Sequence, residues 1–260
     1  MQVSVAHQQF KILVDKTDVL NSANFQPEEI DQFLSDAQEE FIEQRAYGNN
    51  FKRLSVEETQ QRVKDLQDIT VNGNLNTFVN NANNKPNGTF IALPDGLTIR
   101  DNLGNLLPEF RHPLTEEVTL RYLDCNSVYQ TTRVPVEALT HDEYNRIYQN
   151  PFANPSLDRV YRLPYGRSNG VEYYEVILAA GQVLDTYHLR YLKNPLKFNL
   201  AQVIIPPAVT PFGLSGQQEG DLTDTTYREL IMIAVRNALG TIQATQSAIQ
   251  DAMQRVNEIE

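Results

Sequence analysis

The sequence predicts an α+β protein in which N-terminal helices and a long C-terminal helix surround a central antiparallel β-sheet or small sandwich. Twelve of the 13 prolines lie between Pro86 and Pro211, and proline is excluded from helix interiors. Apolar residues recur at helical spacing before this region, and residues 221–260 after it contain no proline and one glycine. We therefore divide the chain into a helical zone (1–70), a β-rich zone (71–220) and a helical arm (221–260), and we expect 1–70 and 221–260 to pack together as one structural unit.

The N-terminal zone carries the strongest helix signals. Pro27 suits a first helical turn, and Glu28 and Glu29 suit the positive end of the helix dipole. The apolar positions that follow share one helical face: Ile30, Phe33, Leu34, Ala37, Phe41 and Ile42. We expect this helix to end before Gly48, a second to begin at Ser55 with Glu58 completing a capping box, and a further helix to lie within 10–20.

Residues 72–87 contain eight asparagines. Asparagine tolerates left-handed backbone conformations and bonds to its own backbone, so the segment is predicted to be a surface loop or hairpin tip. The alternative is a loop that contacts a partner, since long loops often carry binding residues.

Short runs rich in β-branched and aromatic residues predict the strands of the middle zone. They are Thr89–Leu93, Val118–Leu123, Ser127–Val136, Val171–Ala179 and Val183–Leu192. In the last run, Tyr187, Leu189 and Tyr191 alternate with polar residues, as in a half-buried strand.

The C-terminal arm has apolar residues at helical spacing from Tyr227 to Ile259, with Gly240 as the point where the helix bends or divides. A helix of about 35 residues would extend roughly 50 Å, beyond the body of a compact subunit. We expect this arm and the Asn-rich segment to contact a neighbouring subunit. The candidate contact residues are Tyr227, Leu230, Ile242, Ile249, Met253, Val256, Asn80 and Asn81.

Charge and composition argue against a protein that grips nucleic acid, spans a membrane or is a secreted module held by disulfides. The net charge is −11, and no zone carries the Lys/Arg excess that grips nucleic acid. No apolar run is long enough for a transmembrane helix, and the first ten residues do not have the pattern of a signal peptide. The single cysteine, Cys125, cannot form an internal disulfide and is interpreted as a buried small hydrophobe, with a reactive thiol as the alternative.

No catalytic motif is present, and the four histidines are dispersed at no metal-ligand spacing. The cluster His141-Asp142-Glu143 is interpreted as a helix start capped by Thr140. The alternative is a hydrolytic site in which this cluster and Tyr144 converge. We expect no catalytic residues, no metal site and no cofactor.

Four stretches, in this order, resemble the head-to-tail connector and tail ring proteins of podovirus-type bacteriophages, especially crAss-like phages. They are Glu29–Phe41 with Gln60–Leu66, Ala92–Asp95, Thr140–Tyr144 with Asn150–Pro155, and Leu189–Pro195 followed by Arg228–Ile231 and Ala234-Val235.

The resemblance implies a virion structural protein without enzymatic activity, assembled as a dodecameric ring below the portal, through which the genome passes. It implies the portal protein and neighbouring tail ring proteins as partners, with DNA only in transit and no membrane, and assembly in the host cytoplasm. The alternatives are another tail-tube or head-completion protein of different stoichiometry, or a tail-associated hydrolase.

Overall fold

A computed structural model of the chain describes residues 2–17, 25–46, 64–76, 78–80, 88–148, 150–168, 170–200, 219–222 and 226–241. The chain divides into two compact units. The helical unit comprises Met1–Ile69 and Pro195–Glu260, and the sheet unit comprises Thr70–Asn194. Segregated helices and strands confirm the predicted α+β class.

The helical unit contains α1 (Val3–Thr17), α2 (Pro27–Ala46) and a C-terminal helix over 227–241 that we label α4, since α3 (His141–Tyr148) lies in the sheet unit. α2 begins at Pro27, as predicted, because the Glu29 carboxylate accepts a hydrogen bond from the Gln26 N–H at 2.8 Å. The buried positions of α4 repeat at helical spacing: Tyr227, Leu230, Ile231, Ala234, Val235 and Ala238.

α1 covers more of the chain than the predicted helix within 10–20, because its apolar face begins at Val3 and continues through Ala6 to Phe10 and Val14. Phe10 also packs against two neighbouring phenylalanines, at ring-centroid distances of 5.7 Å to Phe25 and 6.3 Å to Phe33. The start of the predicted helix at Ser55 lies outside the described residues. Its last predicted turn ends in a 3-10 helix, Gln67–Ile69.

A polar stripe on α2 binds the backbone of the segment 196–200. Asp31, Ser35 and Gln38 are buried and spaced so that they share one helical face. In order, they bond to the N–H of Leu200 (3.0 Å), the N–H of Phe198 (3.0 Å) and the C=O of Leu196 (2.9 Å). The other Asp31 oxygen lies 2.7 Å from His7 Nε2. These bonds satisfy buried polar groups and attach 196–200 to the helical unit.

The sheet unit contains eight described strands: β1 (Thr70–Leu75), β2 (Phe78–Asn80), β3 (Gly88–Ala92), β4 (Phe110–Leu123), β5 (Tyr129–Ala138), β6 (Val160–Ser168), β7 (Val171–Ile177) and β8 (Val183–Lys193). Their order in the sheet is β1-β8-β4-β5-β6-β7-β3-β2. Six of the neighbouring pairs are antiparallel, as predicted, and β5 with β6 is parallel.

The sheet curls until its two ends meet. β1 and β2 lie at opposite ends of the strand order, yet only residues 76 and 77 separate them in the chain. Three consecutive Cα–Cα steps span at most about 11 Å, so the chain itself holds the two ends of the strand order close together. The enclosed core contains side chains from both ends, including Leu75 and Ile91.

A buried ionic cluster joins strands β4, β6 and β8 inside this curled sheet. Glu116 on β4 accepts hydrogen bonds from Arg162 Nε on β6, at 2.6 Å, and from the Tyr187 hydroxyl on β8, at 2.7 Å. The Arg162 guanidinium also lies over the Tyr174 ring, 4.3 Å from its centroid. The carboxylate and guanidinium therefore compensate each other inside the core.

The prediction that residues 72–87 form a loop is wrong for residues 72–75 and 78–80, which lie in β1 and β2. In β1 the asparagines occupy alternate outward positions, where Asn72 Oδ1 accepts a hydrogen bond from Arg190 Nε and Asn74 bonds to His188. The positions between them face inward, so the asparagines cost the strand no core packing. Residues 81–87 lie outside the described residues.

Strand β6 was not among the predicted strands. Its sequence, VYRLPYGRS, contains a proline and a glycine, both of which argue against a strand. The register between β6 and β7 shifts between Pro164 and Gly166, and this β-bulge accommodates both residues.

Candidate subunit-contact surfaces

Two of the predicted contact residues belong to the core of their own subunit. Tyr227 is 1% exposed and Leu230 is 0% exposed. The Tyr227 ring packs against Phe198, with centroids 6.0 Å apart, and its hydroxyl donates to the Gly220 carbonyl at 2.8 Å. We therefore correct their assignment, because side chains buried in this way offer no surface to a neighbour. Within 226–241, the large apolar side chain that α4 leaves exposed is Met232.

The other predicted contact residues are only partly placed. Asn80 lies in β2, where its backbone is in register with Thr89 of β3. Asn81 and the C-terminal residues Ile242, Ile249, Met253 and Val256 lie outside the described residues.

The cluster His141-Asp142-Glu143 forms a helix start, as predicted. It opens α3 (His141–Tyr148), where the Thr140 N–H donates to the Glu143 carboxylate at 3.0 Å and the Glu143 N–H donates to the Thr140 hydroxyl at 3.3 Å. These reciprocal bonds are a capping box. The bonds from the Thr140 backbone and hydroxyl hold the pKa of Glu143 below its ordinary value. With Glu143 bonded to Thr140 and with His141 and Asp142 exposed, the three groups do not converge on one point.

The connection between β5 and β6, residues 139–159, presents an exposed aromatic ring. After α3 the chain forms a short 3-10 helix, Pro151–Ala153, capped by Asn150, whose Oδ1 accepts from the Phe152 N–H at 3.1 Å. The Ala153 carbonyl accepts from the Tyr161 hydroxyl at 2.9 Å, which ties the turn to β6. Phe152 is nevertheless 93% exposed. The turn holds its backbone in place while the ring makes almost no contact.

An apolar patch lies on the outer face of the sheet, where β4, β5 and β8 come together. Leu123 is in register with Tyr129, and Arg121 with Val183, so these four side chains share a face. Leu123, Tyr129 and Val183 are all exposed. The Arg121 guanidinium lies over the Tyr129 ring, 5.5 Å from its centroid. We call Leu123, Tyr129, Val183 and Arg121 the outer-face patch.

The turn beside this patch contains Cys125. The interpretation of Cys125 as a buried small hydrophobe is wrong, because its side chain is exposed. Asp124 closes the turn by accepting hydrogen bonds from the Asn126 and Val128 N–H groups, and Cys125 follows Asp124 directly in this turn. This places a single accessible thiol next to Leu123.

A second exposed apolar surface lies in the loop over 95–106. Leu97 and Leu103 are each 80% exposed, yet two aspartates order the backbone around them. Asp95 Oδ1 accepts from the N–H groups of Leu97, Thr98 and Ile99. Asp101 binds the Leu103 and Asn105 N–H groups in the same way. The loop is built from two aspartate-centred turns.

We expect Asp95→Asn to loosen this loop. The variant should also lose the pH-dependent contribution that the Asp95 carboxylate makes to the free energy of unfolding. Burial by itself would raise the pKa of the Asp95 carboxyl, but the hydrogen bonds from Thr98, Ile99 and Leu97 outweigh it and hold the pKa well below the ordinary value of 3.8. A carboxyl of this kind contributes its full stabilisation above the ordinary pKa and loses it as the pH falls toward the folded-state pKa. Near neutral pH, hydrogen exchange at Leu97, Thr98 and Ile99 should be faster in the variant. The difference in free energy of unfolding between variant and wild type should shrink below pH 3.8; a difference independent of pH would contradict this.

A polar groove of about 280 Å³ runs across the outer face of β1, β8 and β4. At its centre His188 lies 2.8 Å from both the Thr119 hydroxyl and Asn74 Oδ1. Burial lowers the pKa of His188, and the nearby Arg133 guanidinium lowers it further, which favours the neutral ring. Both ring nitrogens are occupied by these neighbours, so the groove presents an ordered polar surface.

Two kinds of feature are absent from the described ranges. No three His, Cys, Asp or Glu side chains within them are grouped so that they could hold a metal ion. No helix within them combines the length and the apolar content needed to cross a membrane.

The prominent exposed side chains, Phe152 and Leu103, were not among the predicted contact residues. The sequence does mark their positions with turn signals, since Phe152 stands between two Asn-Pro pairs and Leu103 follows an Asp-Asn pair. Turn signals of this kind indicate where the backbone bends. They carry no information about whether an apolar side chain within the turn is covered.

Comparison with known proteins identifies the family to which the chain belongs. Residues 1–251 match the family model described as phage tail ring protein 3/4. The chain is also 26% identical, over 234 residues, to Ring protein 3 of Bacteroides phage crAss001, a match that covers 88% of this chain and 91% of the relative. The family match extends across both compact units and confirms the resemblance found in the sequence. The chain belongs to the phage tail ring protein 3/4 family and is a structural ring protein of a bacteriophage virion.

Proposed function

We propose that the chain is the subunit of a dodecameric ring in the head-to-tail connector or tail, below the portal, where it forms part of the channel for genome passage. The observation that carries this proposal is the family match over residues 1–251. The geometry supports it, because rigid turns present exposed apolar side chains at several places on the sheet unit, and such side chains are typical of surfaces covered by assembly.

The proposed partners are further copies of the chain, the portal protein and the neighbouring tail ring proteins. DNA would meet the ring only in transit. The net charge of −11 supports this, because an acidic subunit repels phosphates and lets DNA slide without adhering. We propose assembly in the host cytoplasm, before the virion is complete.

We propose that the ring subunit has no catalytic role. Among the described residues, two groups that could take part in acid–base chemistry have other partners: Glu143 bonds to Thr140, and His188 bonds to Thr119 and Asn74. General acid–base catalysis requires such groups to converge on a substrate. A hydrolytic activity of the purified chain that a His141→Ala change abolished would overturn this part of the proposal.

The C-terminal residues Ile242, Ile249, Met253 and Val256, together with Asn80 and Asn81, remain our proposed contacts between subunits. A cyclic assembly uses two different contact surfaces on each subunit, and we propose that these residues form one of them. Shortening the chain after residue 241 should then weaken ring formation.

The proposal is tested by imaging and by mass. Negative-stain images of purified virions, and of the chain mixed with its portal protein, should contain rings, and antibody labelling should place the chain between capsid and tail. The mass of the isolated ring, divided by the 29.6 kDa subunit mass, gives the copy number. A dodecameric ring is expected. Another copy number would favour a tail-tube or head-completion protein, and a chain that stays monomeric and joins no virion ring would overturn the proposal.

A further inference from the structure

We propose that Phe152 of one subunit docks on the outer-face patch of the next subunit, so that this contact links neighbours around the ring. The inference rests on the proposed ring assembly, and it assigns the two surfaces that meet. Both surfaces lie in the sheet unit.

Phe152 has the properties of an anchor residue. A phenylalanine side chain can bury on the order of 150–250 Å² in a contact, and in this subunit almost all of that surface is open. The Asn150 cap and the Tyr161–Ala153 hydrogen bond hold the backbone that carries it. A preorganised anchor loses little conformational entropy when it binds, so ordered exposed aromatics make strong contacts.

The outer-face patch offers a matching surface. Leu123 and Val183 supply apolar walls, and Tyr129 supplies an aromatic ring with Arg121 held over it. Aromatic rings pack favourably against other rings and against guanidinium groups. A phenylalanine from a neighbour would therefore meet both an apolar and a cationic partner.

The two surfaces lie at opposite ends of the same strand. Tyr129 begins β5, whereas the connection that carries Phe152 leaves the sheet after Ala138. A ten-residue strand is about 30 Å long. Phe152 and the patch are therefore two separate surfaces, which is the arrangement that head-to-tail contacts in a closed ring require.

Charge favours the outer-face patch over the loop at 95–106 as the docking surface. Asp142, Glu143 and Asp158 outnumber Arg146 and Arg159 in the connection 139–159 that carries Phe152. The outer-face patch contains Arg121, with Asp124 in the adjoining turn, whereas Asp95 and Asp101 outnumber Arg100 in the loop. The connection and the loop both carry an excess of negative charge, so docking on the loop would bring like charges together, and docking on the patch places the connection beside Arg121.

Substitution of Phe152 tests the anchor. Phe152→Ala in the full chain should weaken ring formation by about 30-fold or more, the effect typical of a contact anchor. The midpoint of urea unfolding should stay unchanged, because the side chain buries almost nothing within its own subunit. Leu103→Ala is the matched control, since Leu103 is also exposed in a rigid turn. It should leave ring formation unchanged.

Cross-linking tests the patch. Cys125 is the only cysteine of the chain and lies beside Leu123, and Asn154→Cys places a second thiol two residues after Phe152. A short bis-maleimide applied to this variant in assembled particles should produce a ladder of covalent multimers of the chain. Adding Cys125→Ser should abolish the ladder. A Leu103→Cys variant treated in the same way should give no ladder.

The outcomes separate the inference from the proposed function. Rings that form normally in Phe152→Ala, or an absence of ladder in rings that do form, would overturn the inference and leave the ring assignment intact. Cross-linking of the thiol introduced by Asn154→Cys to a different virion protein would overturn it as well. If the unmodified chain forms no rings in virions, the proposed function fails first.

Discussion

Glu116→Gln should lower the free energy of unfolding of the sheet unit by about 3 kcal/mol. Glu116 lies in the core between Arg162 and Tyr187. The substitution replaces its carboxylate with a neutral amide, which leaves the buried Arg162 guanidinium without this counter-ion. Breaking one partner of a buried ion pair costs about 3–5 kcal/mol, and we take the lower end because glutamine can still accept a hydrogen bond from Tyr187. Burial, reinforced by Glu116, raises the pKa of the Tyr187 hydroxyl well above its ordinary value, so that hydroxyl stays a donor.

The adjacent residue provides the control. Glu117 faces the outside and pairs with the exposed Arg133, so Glu117→Gln should change stability by less than about 1 kcal/mol. Urea unfolding followed by far-ultraviolet circular dichroism measures both variants, since the chain contains no tryptophan. Adding Arg162→Met to Glu116→Gln should recover part of the loss, because no unpaired charge is then buried. Equal losses of stability in Glu116→Gln and Glu117→Gln would contradict the buried ionic cluster.

Gly220→Ala should destabilise the helical unit by about 1–3 kcal/mol. A Cβ atom at this position would lie 2.5 Å from Phe198 Cζ and would also overlap Gln38 Oε1. Phe198 is fully buried and packs on Tyr227, so its ring cannot move aside without disturbing the core. The same substitution would also displace the Gly220 carbonyl that accepts from the Tyr227 hydroxyl.

Gly240→Ala is the matched control within the same unit. Gly240 is helical, and a Cβ there would meet no atom of another element within 4 Å in the described part of the chain. Because glycine is a weak helix former, alanine should stabilise by up to about 1 kcal/mol. The two substitutions should therefore shift the urea midpoint in opposite directions. A shift of the same sign in both would mean that Gly220 is not confined by Phe198.

Several features were predictable because their signals are local. Pro27 and Glu29 mark the start of α2, Thr140 and Glu143 mark the start of α3, and each capping contact spans only three residues. Alternation in the run from Val183 to Leu192 likewise predicts β8. The segregation of these patterns determined the α+β class, and the order of the short stretches determined the family.

Other features depend on residues far apart in the chain. The Asn72–Leu75 segment is a strand because its backbone pairs with β8, more than a hundred residues later, where Arg190 and His188 also bond to its asparagines. Alternation places Glu116 on the same face as Val118 and Leu120, but only the approach of Arg162 from β6 and Tyr187 from β8 makes this glutamate part of a buried cluster. The segment 196–200 lies in the helical unit because Asp31, Ser35 and Gln38 bind its backbone.

The sequence by itself determined where α2 and α3 begin, that the protein is α+β, and that it resembles phage ring proteins. Only the tertiary structure decided which apolar side chains remain open, and it placed Tyr227 and Leu230 in the core and Phe152 at the surface. The reason is that local propensity depends on neighbours in the chain, whereas exposure depends on every element that packs nearby. A contact between subunits is built from exposed residues. Candidate contact residues can therefore be identified only when the tertiary structure shows which side chains the core buries.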